Sequence, residues 1–334
     1  MKAIIATGGH ATKDPQAFRE EQRPTPAPGD RDVLVRIEAV AVNPVDTKVF
    51  DRLVPGQQRI LGWDARGVVA AVGAQARRFA PSQAVYYAGD LTRDGSNAEF
   101  QIVDERLVAP APASLTPAQA ASLPLTSLTA WEGLFDRLGL AAAENANQGA
   151  SLLVIGGAGG VGSMIIQLAA WAGLTVAATA ARPESAAWCR ELGATVVVGR
   201  DDLPGALAAA GLAQVDAVFC TTHAEEHWAN MARVLAPQGA VCLIDDPAGP
   251  LDITLFKQKS ARICWEFMFT RSMFRTEDMA RQALILESVA GLADAGRVRA
   301  TLARTLEGLS AANVREAHLR QRTGGMVGKQ VITA

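Results

Sequence analysis

The stretch SLLVIGGAGGVGSMIIQLA, residues 151–169, breaks an apolar run with five glycines, of which Gly157, Gly159 and Gly162 fall in the spacing G-x-G-x-x-G. A turn without side chains, set between a strand and a helix, lets backbone N–H groups approach a pyrophosphate, and the positive end of the helix dipole favours its charge. Gly157 is expected to permit the turn, Gly159 to admit the phosphates and Gly162 to let helix and strand pack closely. Gly160 and Val161 would add amides of the first helical turn. Glycines also close ordinary tight turns, so the context matters. Here a strand, the glycine turn, a helix and a second strand fit into about thirty residues, as a dinucleotide site requires. No Gly-Lys-Ser/Thr follows, so a mononucleotide P-loop is excluded.

The choice of dinucleotide is made about twenty residues further on, where NAD-binding sequences place Asp or Glu against the ribose hydroxyls. This sequence reads TVAATAARPES, with Arg182 after the strand in place of an acid. Arg200, after the third strand, is a second candidate. A guanidinium suits a 2′-phosphate, so NADPH is the expected coenzyme, the alternative for either arginine being a solvated side chain. His223-x3-His227 would set two imidazoles on one helical face. No third ligand is identifiable, so the expectation is no metal, with a coenzyme-side or capping role there.

These residues need a frame. In the first third, DVLVRIEAVAVN (32–43), ARGVVAAVG (65–73) and QAVYYAG (83–89) are short β-branched runs bounded by turn residues, which predicts an antiparallel, barrel-like unit. Within 116–138 Pro124 separates two helices, and after residue 150 strands and helices alternate, which predicts a parallel sheet. Expected strands are 151–156, 174–180, 195–198, 215–220, 239–244 and 261–267. Helices are expected near 160–172, 183–192, 203–212 and 225–235. Six such strands complete a doubly wound nucleotide-binding domain. Helices around 276–295 and 310–321 and a closing strand GKQVITA form a tail.

The 334 residues, 49% hydrophobic and 20% charged, suffice for about two domains. A net charge of −2 offers no basic field for nucleic acid or an anionic membrane. No apolar window reaches a membrane span, and MKAIIATGGHATKD lacks the features of a secretory signal, so a cytoplasmic protein is expected. Cys189, Cys220, Cys242 and Cys264 form no CxxC pair and are expected to be reduced core thiols.

AVAVNPVDTKV (39–49), LGWDARGVV (61–69), SLPLTSLTAWEGL (122–134), GGAGGVGS (156–163) and FCTTHAEEHW (219–228) resemble the medium-chain dehydrogenase/reductase superfamily, in its quinone-oxidoreductase-like branch. LIDDP, WEFMFTRSMF (265–274) and VGKQVI resemble, more narrowly, the group often named zinc-type alcohol dehydrogenase-like. The resemblance implies an α/β chain: a GroES-like, β-rich catalytic domain from residues 1–124 and 270–334, with a Rossmann NADPH-binding domain at 125–269 between them. It also implies a homodimer paired through the sheet edge near ARICWEFMF. Thr179, Thr221, His223, Asp245, Phe267, Phe269 and Lys329 would join the glycines, Arg182 and Arg200 around the coenzyme. The alternative for the aromatic and Met stripe is plain core or subunit interface.

The sequence departs from the zinc enzymes of that superfamily. Pro44 stands where they carry a cysteine ligand and Trp63 where they carry a histidine, and no cysteine precedes Cys189. Asp64 matches the neighbouring acid and is expected to be structural, paired with an arginine. Without a Lewis acid, reduction of a quinone or α,β-unsaturated carbonyl is favoured over alcohol oxidation, because such a substrate is its own electron sink. The resemblance places Thr129 near the nicotinamide and Asn43, Asp46 and Lys48 along the substrate pocket. Asp46 or Lys48 would donate to the developing enolate oxygen, or else hold the turn after EAVAVN. The competing readings are a zinc alcohol dehydrogenase with unrecognised ligands and a non-catalytic NADPH-binding sensor or structural protein.

Overall fold

The computed structural model describes all residues from Met1 to Ala334. The first third supplies β1 (Lys2–Thr7), β2 (Phe18–Gln22), β3 (Asp32–Ala41), α1 (Pro44–Asp51), β4 (Gln58–Ile60), β5 (Ala65–Val72), β6 (Ala84–Tyr87), β7 (Phe100–Asp104) and β8 (Ala109–Pro110). Two helices follow, α2 (Pro117–Ala121) and α3 (Pro124–Trp131), the latter continuing as a π-helical turn over Glu132–Arg137. The alternating stretch is β9 (Ser151–Ile155), α4 (Gly160–Trp171), β10 (Thr175–Thr179), α5 (Pro183–Glu191), β11 (Val196–Val198), α6 (Leu203–Ala209), β12 (Val215–Cys220), α7 (Ala224–Val234), β13 (Leu235–Leu243) and β14 (Arg262–Trp265). The tail is α8 (Thr270–Met273), α9 (Arg281–Asp294), β15 (Leu302–Leu306), α10 (Ala311–Arg322) and β16 (Lys329–Thr333).

The chain divides into two compact units, Met1–Leu128 with Phe269–Ala334, and Thr129–Met268. In the first, β16 is an interior strand, parallel to β15 on one side and antiparallel to β3 on the other, so the last strand completes a sheet begun by the third. The sheet order is β15-β16-β3-β5-β6-β8, and β7 pairs with the other half of β3. A small antiparallel sheet, β2-β1-β4, lies beside it in the same unit. Proline sets the helix starts here. Pro44, Pro117 and Pro124 each begin a helix, where the missing N–H costs nothing, and Thr116 with Gln119 forms a reciprocal cap on α2.

The second unit is one parallel sheet in the order β11-β10-β9-β12-β13-β14. All five residues of β9 are buried, as a central strand covered on both faces demands. Strand order reverses between β9 and β12, so the carboxyl ends of these two strands flank the crevice where such sheets bind ligands. The π-helical turn packs on β12 through Gly133, where any Cβ would lie 2.2 Å from the Phe219 ring. On the far edge β14 has one partner only, and Trp265 is 52% exposed there.

His318 on α10 is fully buried against Phe18 and Phe50, with ring centroids 4.8 and 6.2 Å away and neither ring nitrogen hydrogen-bonded. Burial, with the nearby Arg322 charge, pushes its pKa down to about 3. The folded-state pKa lies below the unfolded one, so the unfolded chain binds the extra proton and stability falls as pH drops below the ordinary histidine value. Between pH 7 and 5 this one group should cost about 2 kcal/mol, read from urea unfolding. His318→Leu should remove that component; an unchanged pH slope in the variant would refute it.

Candidate functional site

The glycine turn between β9 and α4 has the form a phosphate cradle needs, with one change of role. Gly156, at φ +82°, carries the left-handed turn, not Gly157. A Cβ on Gly157 would sit 2.8 Å from the Ala178 Cβ and 3.0 Å from the Cys189 Sγ, so this glycine lets the turn pack on β10 and α5. Gly162 lets the first turn of α4 close on the glycine turn itself, since its Cβ would lie 2.2 Å from the Gly156 carbonyl oxygen. Gly159 differs from both: its Cβ would meet only that oxygen, at 3.6 Å, and otherwise open space. The first intrahelical bond of α4 runs from Ser163 N–H to the Gly159 carbonyl at 2.8 Å. The amides of Gly160, Val161 and Gly162 therefore precede the helical ladder and are available to an anion.

Two threonines clamp the turn. Thr179, ending β10, accepts the Gly156 N–H on Oγ1 at 2.9 Å, and Thr221, after β12, donates to the Ile155 carbonyl at 2.8 Å. Arg182 is the N-cap residue of α5, exposed, with its Nη2 3.4 Å from Ser185 Oγ; only alanines separate it from Thr179. Arg200 is exposed beyond β11, close enough for its charge to act on His227. His223 takes a left-handed conformation before α7, with Nδ1 2.6 Å from Thr222 Oγ1. Asp245, beyond β13, caps α7 by accepting the Ala224 N–H at 2.9 Å. His227 is buried, and burial first, then Arg200, holds its pKa low. Phe267 is 46% exposed, whereas Phe269 is buried edge-on to Trp63 at 6.4 Å in the first unit.

The first unit holds a sealed polar cluster. Asp64 Oδ1 accepts the Leu125 N–H at 2.7 Å, while Oδ2 accepts from Asn43 Nδ2 at 2.8 Å and from Lys329 Nζ at 3.0 Å. Lys329 also donates to Asn43 Oδ1 and, at 3.2 Å, to the Val42 carbonyl, so three acceptors match the ammonium's three donors. The partner of Asp64 is thus this lysine, not the arginine expected. Asp46 Oδ2 accepts the Asn43 N–H at 2.7 Å and so holds the start of α1, while its Oδ1 is buried without a hydrogen bond. Burial, reinforced by Asp64 and opposed by the Asn43 amide and Lys329, raises the Asp46 pKa to about 7. Lys48 lies one half-turn beyond on α1, and Thr129 is buried in α3 within the other unit.

The residues at the positions named for zinc do not fit zinc. Pro44 opens α1, and Trp63 is buried with Nε1 donating to the Asp90 carbonyl at 3.1 Å and the Arg59 guanidinium over its ring. Neither side chain offers a lone pair, and the neighbouring Asp64 is already neutralised by a cation. His223 and His227 gain no third ligand, since no three His, Cys, Asp or Glu side chains converge anywhere in the chain. Sequence reasoning found the glycines and strand ends but missed the link from Asp64 to Lys329, for which the only signal was a lysine opening the closing strand.

Asp46 has a folded pKa above its unfolded value, so it favours folding in the protonated form and loses that advantage as pH rises through about 7. Asp46→Asn keeps an acceptor for the Asn43 amide and cannot ionise. Its melting temperature should match the parent at pH 4 and exceed it at pH 8, by a margin equivalent to about 2 to 4 kcal/mol. Equal stabilities at pH 8 would refute the assignment.

Residues 29–113 match the alcohol dehydrogenase GroES-like domain family, and residues 160–285 the zinc-binding dehydrogenase family. A zinc-type alcohol dehydrogenase-like protein of Staphylococcus aureus is 38% identical over 333 residues, covering 99% of both chains. A solved Rhizobium etli structure, provisionally assigned as a zinc-dependent alcohol dehydrogenase, superposes with a TM-score of 0.95 at 45% identity, covering 100% of this chain and 98% of its own. A tomato 2-methylene-furan-3-one reductase is 42% identical over 149 residues, which is 41% of this chain and 36% of its own. With the glycine cradle in a parallel sheet and a β-rich unit built from both chain ends, these likenesses show that the chain belongs to the medium-chain dehydrogenase/reductase superfamily of nicotinamide-dependent oxidoreductases.

Proposed function

We propose that the protein reduces quinones or α,β-unsaturated carbonyls with NADPH and without zinc. The observation that carries this reading is the cluster around Asp64, where a buried lysine ammonium, a proline and a tryptophan occupy the surroundings in which a zinc enzyme would need ligands. With no side chains to hold a Lewis acid there, the substrate must accept charge by itself, as a conjugated carbonyl or quinone does. The tomato relative supports it, since its named substrate carries a methylene conjugated to a ketone.

When bound, the coenzyme supplies a hydride. The amides at the start of α4 would hold its pyrophosphate, and Gly159 leaves the space for it. Arg182 would pair with the 2′-phosphate, since it stands just after β10 where an acid would claim the ribose hydroxyls, the nearest acid, Glu184, lying inside the first turn of α5. Asp46 is the group suited to retain a proton near neutral pH and release it toward a developing enolate. Lys48 would offer a second donor. Asn43, fixed by Lys329 and Asp64 through its side chain, keeps Asp46 in place through its backbone N–H.

Two experiments test the coenzyme and substrate parts separately. Arg182→Ala should weaken NADPH binding roughly 10- to 100-fold with little effect on NADH, as loss of a charge-assisted contact implies. Gly159→Val should abolish binding of both with an unchanged circular dichroism spectrum. Equal affinity of the parent for both coenzymes, or binding retained in Gly159→Val, would contradict the placement. In a substrate panel followed by NADPH oxidation, quinones and enones should be turned over and their saturated ketone analogues should not. Turnover of saturated ketones that disappears on chelation and returns with zinc would defeat the metal-free reading.

A further inference from the structure

Two cysteines far apart in sequence meet in the second unit. Cys242 on β13 and Cys264 on β14 are register partners in neighbouring parallel strands. Strands in a sheet lie about 4.8 Å apart and register partners project to the same face, which brings the sulfurs side by side. That spacing falls within the Cα separation of about 4.4 to 6.8 Å that a disulfide tolerates. The two thiols are not equivalent. Cys242 is fully buried against Gly133, whereas Cys264, on the outermost strand, is partly exposed.

Two cations and a carboxylate surround them, the carboxylate of Glu266 acting on Cys242 and the cations on Cys264. Arg262, on the same face of β14, donates to the Leu138 carbonyl at 3.0 Å, and Arg137 of the π-helical turn pairs with Glu266 at 2.8 Å. Both guanidiniums act on Cys264. The Cys264 Sγ donates to the Val241 carbonyl at 3.3 Å, and the neighbouring Cys242 thiol, then these two arginines, hold the Cys264 pKa below the usual thiol range despite burial. The other two cysteines serve as internal controls, since burial pushes Cys189 up to about 11 and Cys220 up to about 12. An acidified, partly exposed thiol beside a second thiol is the arrangement that reacts with peroxides.

We propose that Cys264 is a site of reversible oxidation by hydroperoxides, with Cys242 as its resolving partner in an intrachain disulfide. The Cys264 thiolate attacks the peroxide oxygen, forming an S–O bond as the O–O bond breaks, and the departing hydroxide or alkoxide takes a proton from water. Cys242 then gives up its proton and attacks the Cys264 sulfur, the S–S bond forming as hydroxide leaves with a proton as water. Two electrons pass from the two thiols to one hydroperoxide.

Purified protein exposed to a small excess of hydrogen peroxide at neutral pH, then quenched and denatured, should lose two of its four titratable thiols and recover them with dithiothreitol. Peptide mapping should show one cross-link, Cys242 to Cys264. Cys264→Ser should keep its remaining three thiols, and Cys242→Ser should instead carry a sulfenic acid on Cys264 that dimedone traps. Retention of all four thiols, a cross-link through Cys189 or Cys220, or thiol loss in Cys264→Ser at the parental rate would overturn the proposal. If the buried Cys242→Ser change prevents folding, the map of the parent protein still decides.

Discussion

The carboxylate of Asp64 is the point at which the first unit is tied together. Its two oxygens receive a backbone amide from α3, a side-chain amide from the residue before α1 and an ammonium from the first residue of β16. Segments from three separate parts of the chain thus share one buried charge. Taking an ion pair out of water is expensive, and the pair is sustained because all three donors of the ammonium and both oxygens of the carboxylate have partners. Removing one member would strand the other, a loss of about 3 to 5 kcal/mol, which is a large share of a domain's net stability.

That same pair constrains the chemistry. A fixed ammonium fills the polar centre of the unit, and it also reaches Asn43, whose backbone N–H binds Asp46. Asp46 then sits in a setting where desolvation and the Asp64 charge outweigh the attraction of Lys329, so its carboxyl stays protonated far above the ordinary range. In the proposed reaction this centre would manage a proton rather than a metal, and an electrophilic substrate is the kind that such a centre suits.

The second unit was legible because its signals are local. β9, β10 and β12 are unbroken apolar runs, and the glycines that follow β9 announce the turn within one window of sequence. Which glycine bends the chain was not legible, because Gly156 and Gly157 are adjacent and only the Thr221 and Ala178 side chains, brought in by other strands, distinguish their roles. Contacts across long separations were hidden for the same reason. Nothing near Asp64 in sequence names Lys329, and nothing near Cys242 names Cys264; both pairs are created by strand order and register. The four cysteines are free thiols, as their spacing suggested, but only the sheet register shows that two of them are neighbours.

The interior position of β16 has a consequence for how the protein is made. A ribosome finishes the whole parallel-sheet unit before it reaches residues 329–333, so β3 must wait, with half of one edge unpaired, through the synthesis of most of the chain. The parallel-sheet unit can close as soon as β14 emerges, while the first unit remains an open sheet with Asp64 lacking its cation. Nascent chains stalled before residue 329 are therefore the species most exposed to edge-to-edge association, and chaperones would find their substrate in that interval.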